Sequence, residues 1–317
     1  MSTRYARVRA HAKINWTLKV LHKRPDGYHE IRTVFQTIGL HDTLEVEYTP
    51  GRRTAMTLEG MDAADNLILR AARLFCEESK VTGQFRFRID KRIPMGGGLG
   101  GGSSDAAAVL LTLPVLTGRS LGLAELMGLG ARLGSDVPFF LAGGTALGLG
   151  RGEELYPLPE MPAYPLLLVV PRLHVSTPEA YRALGRDLTS LADVSKLNVL
   201  QSFVWNGRVS ELENDFEAPV FRMHPELGRW RRRLVKLGAP AARLSGSGAA
   251  LFGVFPDRAD LARALPRFPT DQLQTFPTRV LTRAQYRAGW MRSLAEHRSG
   301  TAWPPPSRHR ISRQPGK

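Results

Sequence analysis

Apolar and polar residues alternate along several stretches of the chain, and each such stretch predicts a β-strand. The pattern covers residues 5–20 and residues 84–90. Residues 31–49 predict two further strands, TVFQTIGL and DTLEVEYT, which are separated by a turn at His41 and Asp42. The N-terminal part of the chain is therefore expected to be rich in strands.

Helices are predicted where apolar residues recur at a spacing of three or four. One follows Asp65 and Asn66, either of which can cap it. A second follows the glycine-rich run near residue 100, and Pro114 should end or kink it because proline cannot continue the hydrogen-bond ladder. A third spans residues 120–133, and a fourth begins near Asp136.

Glycine and proline divide the rest of the chain. Residues 143–155 predict a hairpin, and the proline-rich residues 156–165 predict a domain boundary. Beyond it we expect a buried strand (YPLLLVVP), the start of a helix (TPEAYRAL), a glycine turn flanked by strand (LSGSGAALFGVFP) and, over 270–290, a closing strand with a short end segment. The expected units are an N-terminal domain at 1–158, a C-terminal domain at 159–292 and a disordered basic tail, rich in proline and arginine, at 293–317.

Composition narrows the class of protein. The chain has 317 residues, of which 43% are hydrophobic and 23% charged, as in an ordinary globular protein. Its single cysteine, Cys76, excludes an internal disulfide. We see neither a membrane-spanning apolar run nor a secretory leader, so the expected location is the cytoplasm. The net charge of +15 is scattered and no nucleic-acid-binding signature accompanies it, so nucleic acid is not expected as the main ligand.

The stretch PMGGGLGGGSSDAA, residues 94–107, carries the most specific chemistry. It lies between a predicted strand and a predicted helix. Glycines let a backbone approach an anion closely, and the N–H groups and dipole of a helix N-terminus favour negative charge. The serines at the helix start can donate further hydrogen bonds. The stretch therefore predicts a phosphate-binding loop.

Three familiar glycine loops fit this stretch less well. A P-loop requires a lysine that this stretch lacks. The Rossmann pattern is met by Gly96, Gly98 and Gly101, but no acidic residue follows at the distance that would hold a ribose. A protein-kinase loop would need later motifs that the chain does not contain.

Three motifs in order resemble those of the GHMP kinase superfamily. They are HAKINWTLKV near the N-terminus, the glycine loop, and RLSGSGAALFGVF in the second half. The stretches KRPDGYHEIRTVFQTIGLHDTL, STPEAY and LENDFE resemble one branch of that superfamily, whose substrate carries a cytidine diphosphate. The resemblance implies an α+β fold of two parts, an N-terminal half like domain 2 of ribosomal protein S5 and a ferredoxin-like C-terminal half, with the active site in the cleft between them.

The implied activity is ATP-dependent phosphorylation of the 2-hydroxyl of methylerythritol carrying a cytidyl diphosphate, in the non-mevalonate isoprenoid precursor pathway. By motif match, Asp136 would be the general base and Lys13 its positively charged partner at the transferring phosphoryl group. Without the resemblance, Asp136 could be only a helix cap and Lys13 an ordinary exposed lysine. The implied partners are ATP and this small-molecule substrate, in a monomer or homodimer that needs no membrane.

The resemblance also implies how both substrates are held. Tyr28 and Tyr181 would form the aromatic walls around the cytosine and His29 would meet its edge, while Asn15 and Thr177 would contact the same substrate. Asn66 and Leu67 would line the adenine pocket, with Lys91 nearby. The phosphates of ATP would be wrapped by Pro94, Met95, Gly96, Gly97, Gly98, Leu99, Gly100, Gly101, Gly102, Ser103 and Ser104.

Magnesium is expected with ATP and would be held mainly by the nucleotide phosphates. The sequence shows no dense set of carboxylates for a protein-built metal site, and Ser104 is the best single protein ligand. The alternatives that stay open are another small-molecule GHMP kinase, acting on homoserine, a mevalonate-type alcohol or a sugar, and a non-catalytic ATP-binding or RNA-binding relative.

Overall fold

The computed structural model describes residues 2–62, 64–184, 201–202, 205–206 and 212–309. These residues form two β-sheets with helices packed against them, which confirms the predicted mixed α+β architecture of two parts. The last strand of the first sheet ends at Pro157, and the first strand of the second sheet begins at Pro165. The boundary between the two sheets therefore lies inside the proline-rich segment. None of the helices in this part of the chain is long and apolar enough to cross a membrane.

The first sheet is built around two long strands that pair over almost their whole length. Strands β1 and β2 are antiparallel, β4 and β5 pair with the other side of β2, and only β3 and β4 run parallel. The order is β3-β4-β2-β5-β6 with β1 against β2. The strands are β1 (Arg4–Lys23), β2 (His29–Pro50), β3 (Ala55–Glu59), β4 (Gly83–Asp90), β5 (Thr145–Leu149) and β6 (Glu154–Pro157).

The predicted turn at His41 and Asp42 is wrong, because β2 continues straight through both residues. Their partners across the ladder are His11 and Ala10. The carboxylate of Asp42 is fully buried, where it accepts hydrogen bonds from the backbone N–H groups of Arg92 and Ile93 over 2.6 and 2.8 Å. A tertiary role for this carboxylate thus overrides the preference of aspartate for turns.

Four helices pack on one face of this sheet and enclose a core of aliphatic and aromatic side chains. They are α1 (Leu67–Ser79), α2 (Gly101–Thr117), α3 (Leu123–Leu133) and α4 (Val137–Ala142). The side chain of Asn66 caps α1 by accepting a hydrogen bond from Ile68 N over 2.9 Å, as one of the two predicted capping residues.

Helix α2 does not end at Pro114, and the expectation that this residue shortens it is wrong. The helix runs to Thr117, and the carbonyl of Pro114 accepts the N–H of Gly118 at its C-terminal end. Every residue from Ser104 to Thr117 is buried. Because Pro114 lies in the last turn and packing surrounds the helix, the one backbone bond that proline removes does not stop it.

The second sheet is antiparallel, in the order β10-β7-β9-β8. Its glycine turn joins β8 to β9, as predicted. The middle of β1 packs against this sheet, since Ile14 and Trp16 share a core with Leu168 and Phe252. The elements are β7 (Pro165–Pro171), α5 (Thr177–Ala183), α6 (Glu217–Met223), α7 (Pro225–Lys236), β8 (Ala241–Leu244), β9 (Leu251–Val254), α8 (Arg258–Ala264), a 3₁₀ turn (Leu265–Arg267) and β10 (Leu273–Arg279).

After β10 the chain returns to the first half. Helix α9 (Arg283–Ser293) places Tyr286 and Trp290 in the core of the first sheet. The expectation of disorder over 293–317 is wrong for residues 293–309: the indole N–H of Trp303 donates to Leu141 O over 2.9 Å, and Ser307 Oγ donates to Val115 O over 2.6 Å. These apolar and hydrogen-bonded contacts outweigh the disorder-prone composition. Residues 310–317 lie outside the described residues.

Candidate active site

The glycine loop enters helix α2 in a conformation that requires glycine. Gly96, Gly98 and Gly100 have φ of +71°, +73° and +71°. A Cβ at Gly98 would lie 2.2 Å from the carbonyl oxygen of Ser245, so no side chain fits there without movement. Gly100 is the N-cap residue of α2 and provides no side-chain hydrogen bond. The first N–H groups of a 17-residue helix are therefore left for an anion, and the loop fits the phosphates of a nucleotide.

The glycine turn of the third motif supports this loop. Ser245 Oγ donates a hydrogen bond to Gly98 O over 3.1 Å, and Ala250 N donates to Gly97 O over 3.1 Å. Asn214 stabilises this glycine turn, because its side-chain amide donates hydrogen bonds to the carbonyls of Leu244 and Gly246, both over 2.8 Å. Two motifs far apart in sequence thus form one rigid support.

The two residues predicted to be catalytic lie together beside the loop. Lys13 Nζ is 3.4 Å from Asp136 Oδ2, with the lysine side chain 5% exposed and the aspartate 28% exposed. Lys13 also donates to Asn15 Oδ1 over 2.7 Å, and Asn15 in turn donates to Thr33 Oγ1 over 2.7 Å. A buried cation next to a half-buried carboxylate fits the handling of a proton beside a phosphoryl group.

Lys13 is also fixed through its backbone. Its N–H donates to Leu99 O over 3.0 Å, and a Cβ at Gly100 would lie 3.2 Å from Lys13 Cγ. The lysine therefore lies against the phosphate loop. Asp136 occupies the N-cap position of α4, but its side chain makes no capping hydrogen bond. Helix capping does not account for this aspartate.

The residues predicted to surround the cytosine are brought together in a different pairing. The ring of Tyr181 stacks on His29, with centroids 4.5 Å apart and planes 16° apart, and it makes a T-shaped contact with Phe216 at a centroid distance of 4.8 Å. Tyr28 is 57% exposed and lies under the guanidinium of Arg151, 4.8 Å from its ring centroid. The ring that covers Tyr181 is thus His29, whereas Tyr28 stands at the surface.

The charges around this aromatic pair link it to Asp136, the carboxylate predicted to be catalytic. Burial and then the negative charge of Asp136 raise the pKa of Tyr181 to about 12. Burial and the charge of Lys23 lower the pKa of His29, so its imidazole is neutral at physiological pH. Thr177, at the start of α5, shares a 2.8 Å hydrogen bond with Ser247 of the glycine turn. The predicted substrate residue Thr177 thereby lies against the third motif.

The residues predicted to lie near the adenine are found close to the start of α2. Leu67 and Lys91 lie beside its first turn, and Asn66 is the N-cap of the neighbouring helix α1. A Cβ at Gly102 would lie 3.4 Å from Leu67 Cδ1, and one at Gly101 would lie 3.2 Å from Lys91 Nζ. The ammonium of Lys91 is held by the carboxylates of Asp42 and Asp105. Lys91 thus anchors the entry to the loop, with its charge already paired.

This buried triad has shifted acid–base properties. Burial opposes the charge on Lys91, but the carboxylates of Asp105 and Asp42 outweigh it and raise the pKa of Lys91. Burial raises the pKa of Asp105 to about 7, against the opposing effect of Lys91 and with the help of the nearby Asp42. Asp42 and Asp105 both lie within motifs of the sequence, but the sequence does not predict that they hold Lys91. Two residues that are 63 positions apart leave no local pattern of their pairing.

The serines at the start of α2 differ in what they face. Ser104 is 2% exposed and its hydroxyl donates to the carbonyl of His11 over 2.7 Å. Ser103 is half-buried and lies near Gly134, where an added Cβ would be 3.9 Å from Ser103 Oγ. Among the residues that the structure describes, no group of three or more His, Cys, Asp or Glu side chains is placed to hold a metal ion.

Comparison with known proteins places this arrangement in a class. The family model described as GHMP kinases N terminal domain matches residues 66–144, and the one described as GHMP kinases C terminal matches residues 194–271. The glycine loop and Asp136 fall within the first match and the Ser245 turn within the second. The structure of a homoserine kinase from Cytophaga hutchinsonii, 16% identical, superposes with a TM-score of 0.69 over 88% of this chain and 95% of its own, which shows the shared fold.

Closer relatives define the family. A 4-diphosphocytidyl-2-C-methyl-D-erythritol kinase of Solibacter usitatus (strain Ellin6076) is 52% identical over 97% of this chain and 99% of its own length. The one of Ralstonia pickettii (strain 12J) is 42% identical over 81% and 87%. A crystal structure of 4-(cytidine 5'-diphospho)-2C-methyl-D-erythritol kinase is 37% identical, with a TM-score of 0.75 over 86% of this chain and 98% of that one. The chain therefore belongs to the GHMP kinases and, within them, to the family of the 4-diphosphocytidyl-2-C-methyl-D-erythritol kinases.

Proposed function

We propose that this chain transfers the terminal phosphoryl group of ATP to the 2-hydroxyl of 4-diphosphocytidyl-2-C-methyl-D-erythritol, in the non-mevalonate isoprenoid precursor pathway. The observation that carries the chemistry is the 3.4 Å pair between Lys13 Nζ and Asp136 Oδ2 beside the phosphate loop. The names of the relatives, of which one is 52% identical over nearly the whole chain, support the choice of substrate.

In this proposal Asp136 accepts the proton of the substrate hydroxyl. The hydroxyl oxygen forms a bond to the terminal phosphorus, the bond from that phosphorus to the bridging oxygen breaks, and ADP leaves with the electron pair. Lys13 offsets the negative charge that collects around the transferred group. Its bonds to Asn15 Oδ1 and, through the backbone, to Leu99 O hold it in position before substrate arrives.

The residues that would hold ATP are those of the loop, from Pro94 to Ser104. Backbone N–H groups at the start of α2 would receive the phosphates, and the half-buried hydroxyl of Ser103 can add a donor there. Asn66 and Leu67 lie beside the first turn of α2, where an adenine pocket would adjoin the phosphates. Lys91, whose charge is already paired, would hold the loop in position. The negative charge of the nucleotide would be stabilised by the backbone N–H groups and by Lys13.

Magnesium, in this proposal, enters with the nucleotide, because Mg²⁺ prefers phosphate oxygens and retained waters to dedicated protein cages. The bound ion would neutralise charge on the phosphates. Ser104, the protein oxygen favoured by the sequence, is buried and its hydroxyl hydrogen is already donated to the carbonyl of His11. Because Ser104 is only 2% exposed, the proposal places magnesium on the nucleotide phosphates and assigns it no protein ligand.

The cytidine end of the substrate would bind at Tyr28, His29 and Tyr181. The stacked His29 and Tyr181 lie near Asp136, whose charge acts on Tyr181. The exposed face of Tyr28 would stack on the cytosine, and a neutral His29 can meet its edge. Thr177 and Asn15 would contact the phosphorylated and alcohol parts of the same molecule.

The test is a kinase assay with purified protein, Mg-ATP and four acceptors: the cytidyl substrate, homoserine, mevalonate and galactose. We expect ADP release only with the cytidyl substrate. Release with homoserine, mevalonate or galactose instead would show that the family assignment of substrate is wrong for this chain. Phosphorus NMR of the product would locate the new phosphate at the 2-hydroxyl, and a phosphate at another hydroxyl would refute the proposed regiochemistry.

A further inference from the structure

A second basic site lies outside the proposed active site. A cavity of about 670 Å³ is lined by five arginines, Arg7, Arg9, Arg92, Arg279 and Arg292. We call it the arginine bowl. Its lining includes neither a residue of the 94–104 loop nor Lys13 or Asp136. The proposed kinase reaction therefore makes no use of it.

The strand pattern builds the floor of this bowl. Arg7, Arg9 and His11 alternate along β1 with the core residues Val8 and Ala10, so their side chains share one face of the sheet. Across the ladder from Arg9 and His11 lie Thr43 and His41 of β2, which also line the cavity. Two arginines at strand ends, Arg92 after β4 and Arg279 in β10, complete the basic rim.

Helix α9 forms one wall and leaves room beside the arginines. The residues it contributes include the small Ala288 and Gly289 as well as Arg292. A Cβ added at Gly289 would meet no atom within 4 Å. Leu281 and Ala288 give the bowl an apolar part next to its charges. The volume lies within the range typical of small-molecule sites, roughly 300–1,000 Å³.

The charges in the bowl are only partly balanced by the protein. Its lining contains no carboxylate. Arg7 reaches Glu45 at 3.6 Å and Arg92 reaches Asp90 at 3.1 Å, both outside the lining. Among the described residues, no ion pair or side-chain hydrogen bond is formed by the guanidiniums of Arg9, Arg279 and Arg292. Three like charges converging on one cavity favour an anion there.

We propose that the arginine bowl binds a phosphorylated small molecule that carries at least two adjacent phosphate groups. Guanidinium forks match phosphate oxygens in geometry, and several forks around one cavity suit several phosphates better than one. The bowl is too large for a single phosphate ion, and its apolar part offers contact to an organic group.

The bowl and the phosphate loop lie on opposite sides of β1 but share a residue. The side chain of His11 lines the bowl, while its carbonyl oxygen accepts the hydroxyl of Ser104 at the start of α2. The two anions would therefore bind at the same time, one on each side of the strand. This predicts one polyphosphate bound in the bowl in addition to the nucleotide held by the loop.

Isothermal titration with inorganic tripolyphosphate tests the site, using protein already saturated with a non-hydrolysable ATP analogue so that the loop is filled. We expect one further saturable site for each chain, weakened at least tenfold by the double substitution Arg9→Ser and Arg292→Ser. The matched control is Arg229→Ser with Arg258→Ser, which removes two exposed arginines elsewhere. The control should leave tripolyphosphate binding unchanged.

A second variant separates shape from charge. Gly289→Leu adds a side chain that would fill the bowl without changing the charge, and it should also weaken tripolyphosphate binding at least tenfold. Absence of a saturable second site, or an equal loss in the Arg229 and Arg258 control, would overturn the proposal. Preferential binding of a single-stranded oligonucleotide through Arg9 and Arg292, with no tripolyphosphate binding, would equally refute a small-molecule site.

Discussion

The hydroxyl of Ser245 donates a hydrogen bond to the carbonyl oxygen of Gly98 across 3.1 Å, joining residues 147 apart in sequence. The contact sets the glycine turn of the second half directly against the phosphate loop of the first. A Cβ on Gly98 would collide with the backbone of Ser245. Any displacement of one motif is therefore transmitted to the other.

Gly98→Ala should damage ATP binding selectively. The Cβ would lie 2.2 Å from Ser245 O, on a residue whose φ is +73°, so the loop must move. We expect kcat/KM for ATP to fall at least tenfold in steady-state assays. The neighbouring Gly97→Ala is the control, because its Cβ would lie 3.5 Å from Ala250 Cβ in ordinary contact. Equal losses in both variants would contradict a role for the close approach at Gly98.

Asp136→Asn should abolish turnover while leaving the affinity for an ATP analogue nearly unchanged. An amide cannot accept the hydroxyl proton, and general-base catalysis is typically worth ~10²–10⁴ in rate. Single-turnover kinetics would measure the loss in kcat. Asp257→Ala is the contrast: its side chain caps α8 by accepting from Asp260 N over 2.8 Å, so this change should cost about 1 kcal/mol of stability with normal kcat. Near-normal kcat for Asp136→Asn would exclude the general-base role.

Tyr28→Ala should raise KM for the cytidyl substrate and leave KM for ATP unchanged. Tyr28 is 57% exposed, and stacking of a base on an aromatic ring is worth about 1–3 kcal/mol, which corresponds to a rise in KM of roughly five- to 150-fold. Initial-rate measurements with each substrate varied in turn would show the difference. Tyr156, 48% exposed on β6, provides the matched control as Tyr156→Ala. A rise in KM for ATP instead would show that Tyr28 contacts ATP and would contradict its proposed role in binding the cytosine.

Acid should destabilise the protein through His11. Burial, helped by the positive charges of His41 and Arg9, lowers the pKa of His11 to about 3, and the edge of Tyr286 from α9 lies 5.8 Å away. The unfolded chain takes up this proton near pH 6.5 but the folded chain does not. The contribution of His11 is therefore constant above pH 6.5 and is lost below it, by up to ~1.4 kcal/mol for each pH unit, until about pH 3.

Urea denaturation of the wild type and His11→Asn between pH 7.5 and 4.5 measures this effect. The stability difference between the two proteins should shift in favour of the variant as pH falls, since asparagine does not titrate. His22→Asn, at an exposed histidine, should show no such trend. Parallel pH profiles for the wild type and His11→Asn would mean that His11 takes up its proton as readily in the folded protein as in the unfolded chain.

Trp303→Ala should lower the free energy of unfolding by about 2 kcal/mol, below the range for a fully buried tryptophan because Trp303 is half-buried. The indole packs on the first core, under the guanidinium of Arg287 at 5.0 Å, and donates to Leu141 O. Urea denaturation at neutral pH gives the value. Trp205, 86% exposed, is the control, and Trp205→Ala should change stability little. An unaltered urea midpoint for Trp303→Ala would mean that residues 299–309 do not contribute to the stability of the first core.

The sequence predicted the elements whose signals are local. Asn66 at the head of α1, the glycine turn between β8 and β9, and the strand–loop–helix around the phosphate loop all follow from short patterns of polar, glycine and apolar residues. Membership of the GHMP kinases followed from the order of three motifs. These features depend on a few adjacent residues, so one sequence is enough to find them.

The features that the sequence missed depend on distant partners. Asp42 reads as a turn residue until the backbone of Arg92 and Ile93 is brought against it. Pro114 reads as a helix breaker until packing surrounds its helix. The stack of His29 on Tyr181 joins two motifs that were predicted separately, and no periodicity shows which rings will meet. In each case the deciding contact crosses tens to hundreds of residues.

The return of α9 and residues 294–309 to the first half bears on how the protein is made. Tyr286, Trp290 and Leu294 complete a core whose other members come from the first half of the chain. During synthesis, the core between the N-terminal sheet and its helices stays incomplete until residues 283–294 have left the ribosome. The nascent N-terminal half is therefore the stage at which this protein most needs a chaperone, and a ribosome stalled before codon 283 should yield a protease-sensitive chain that carries every proposed catalytic residue.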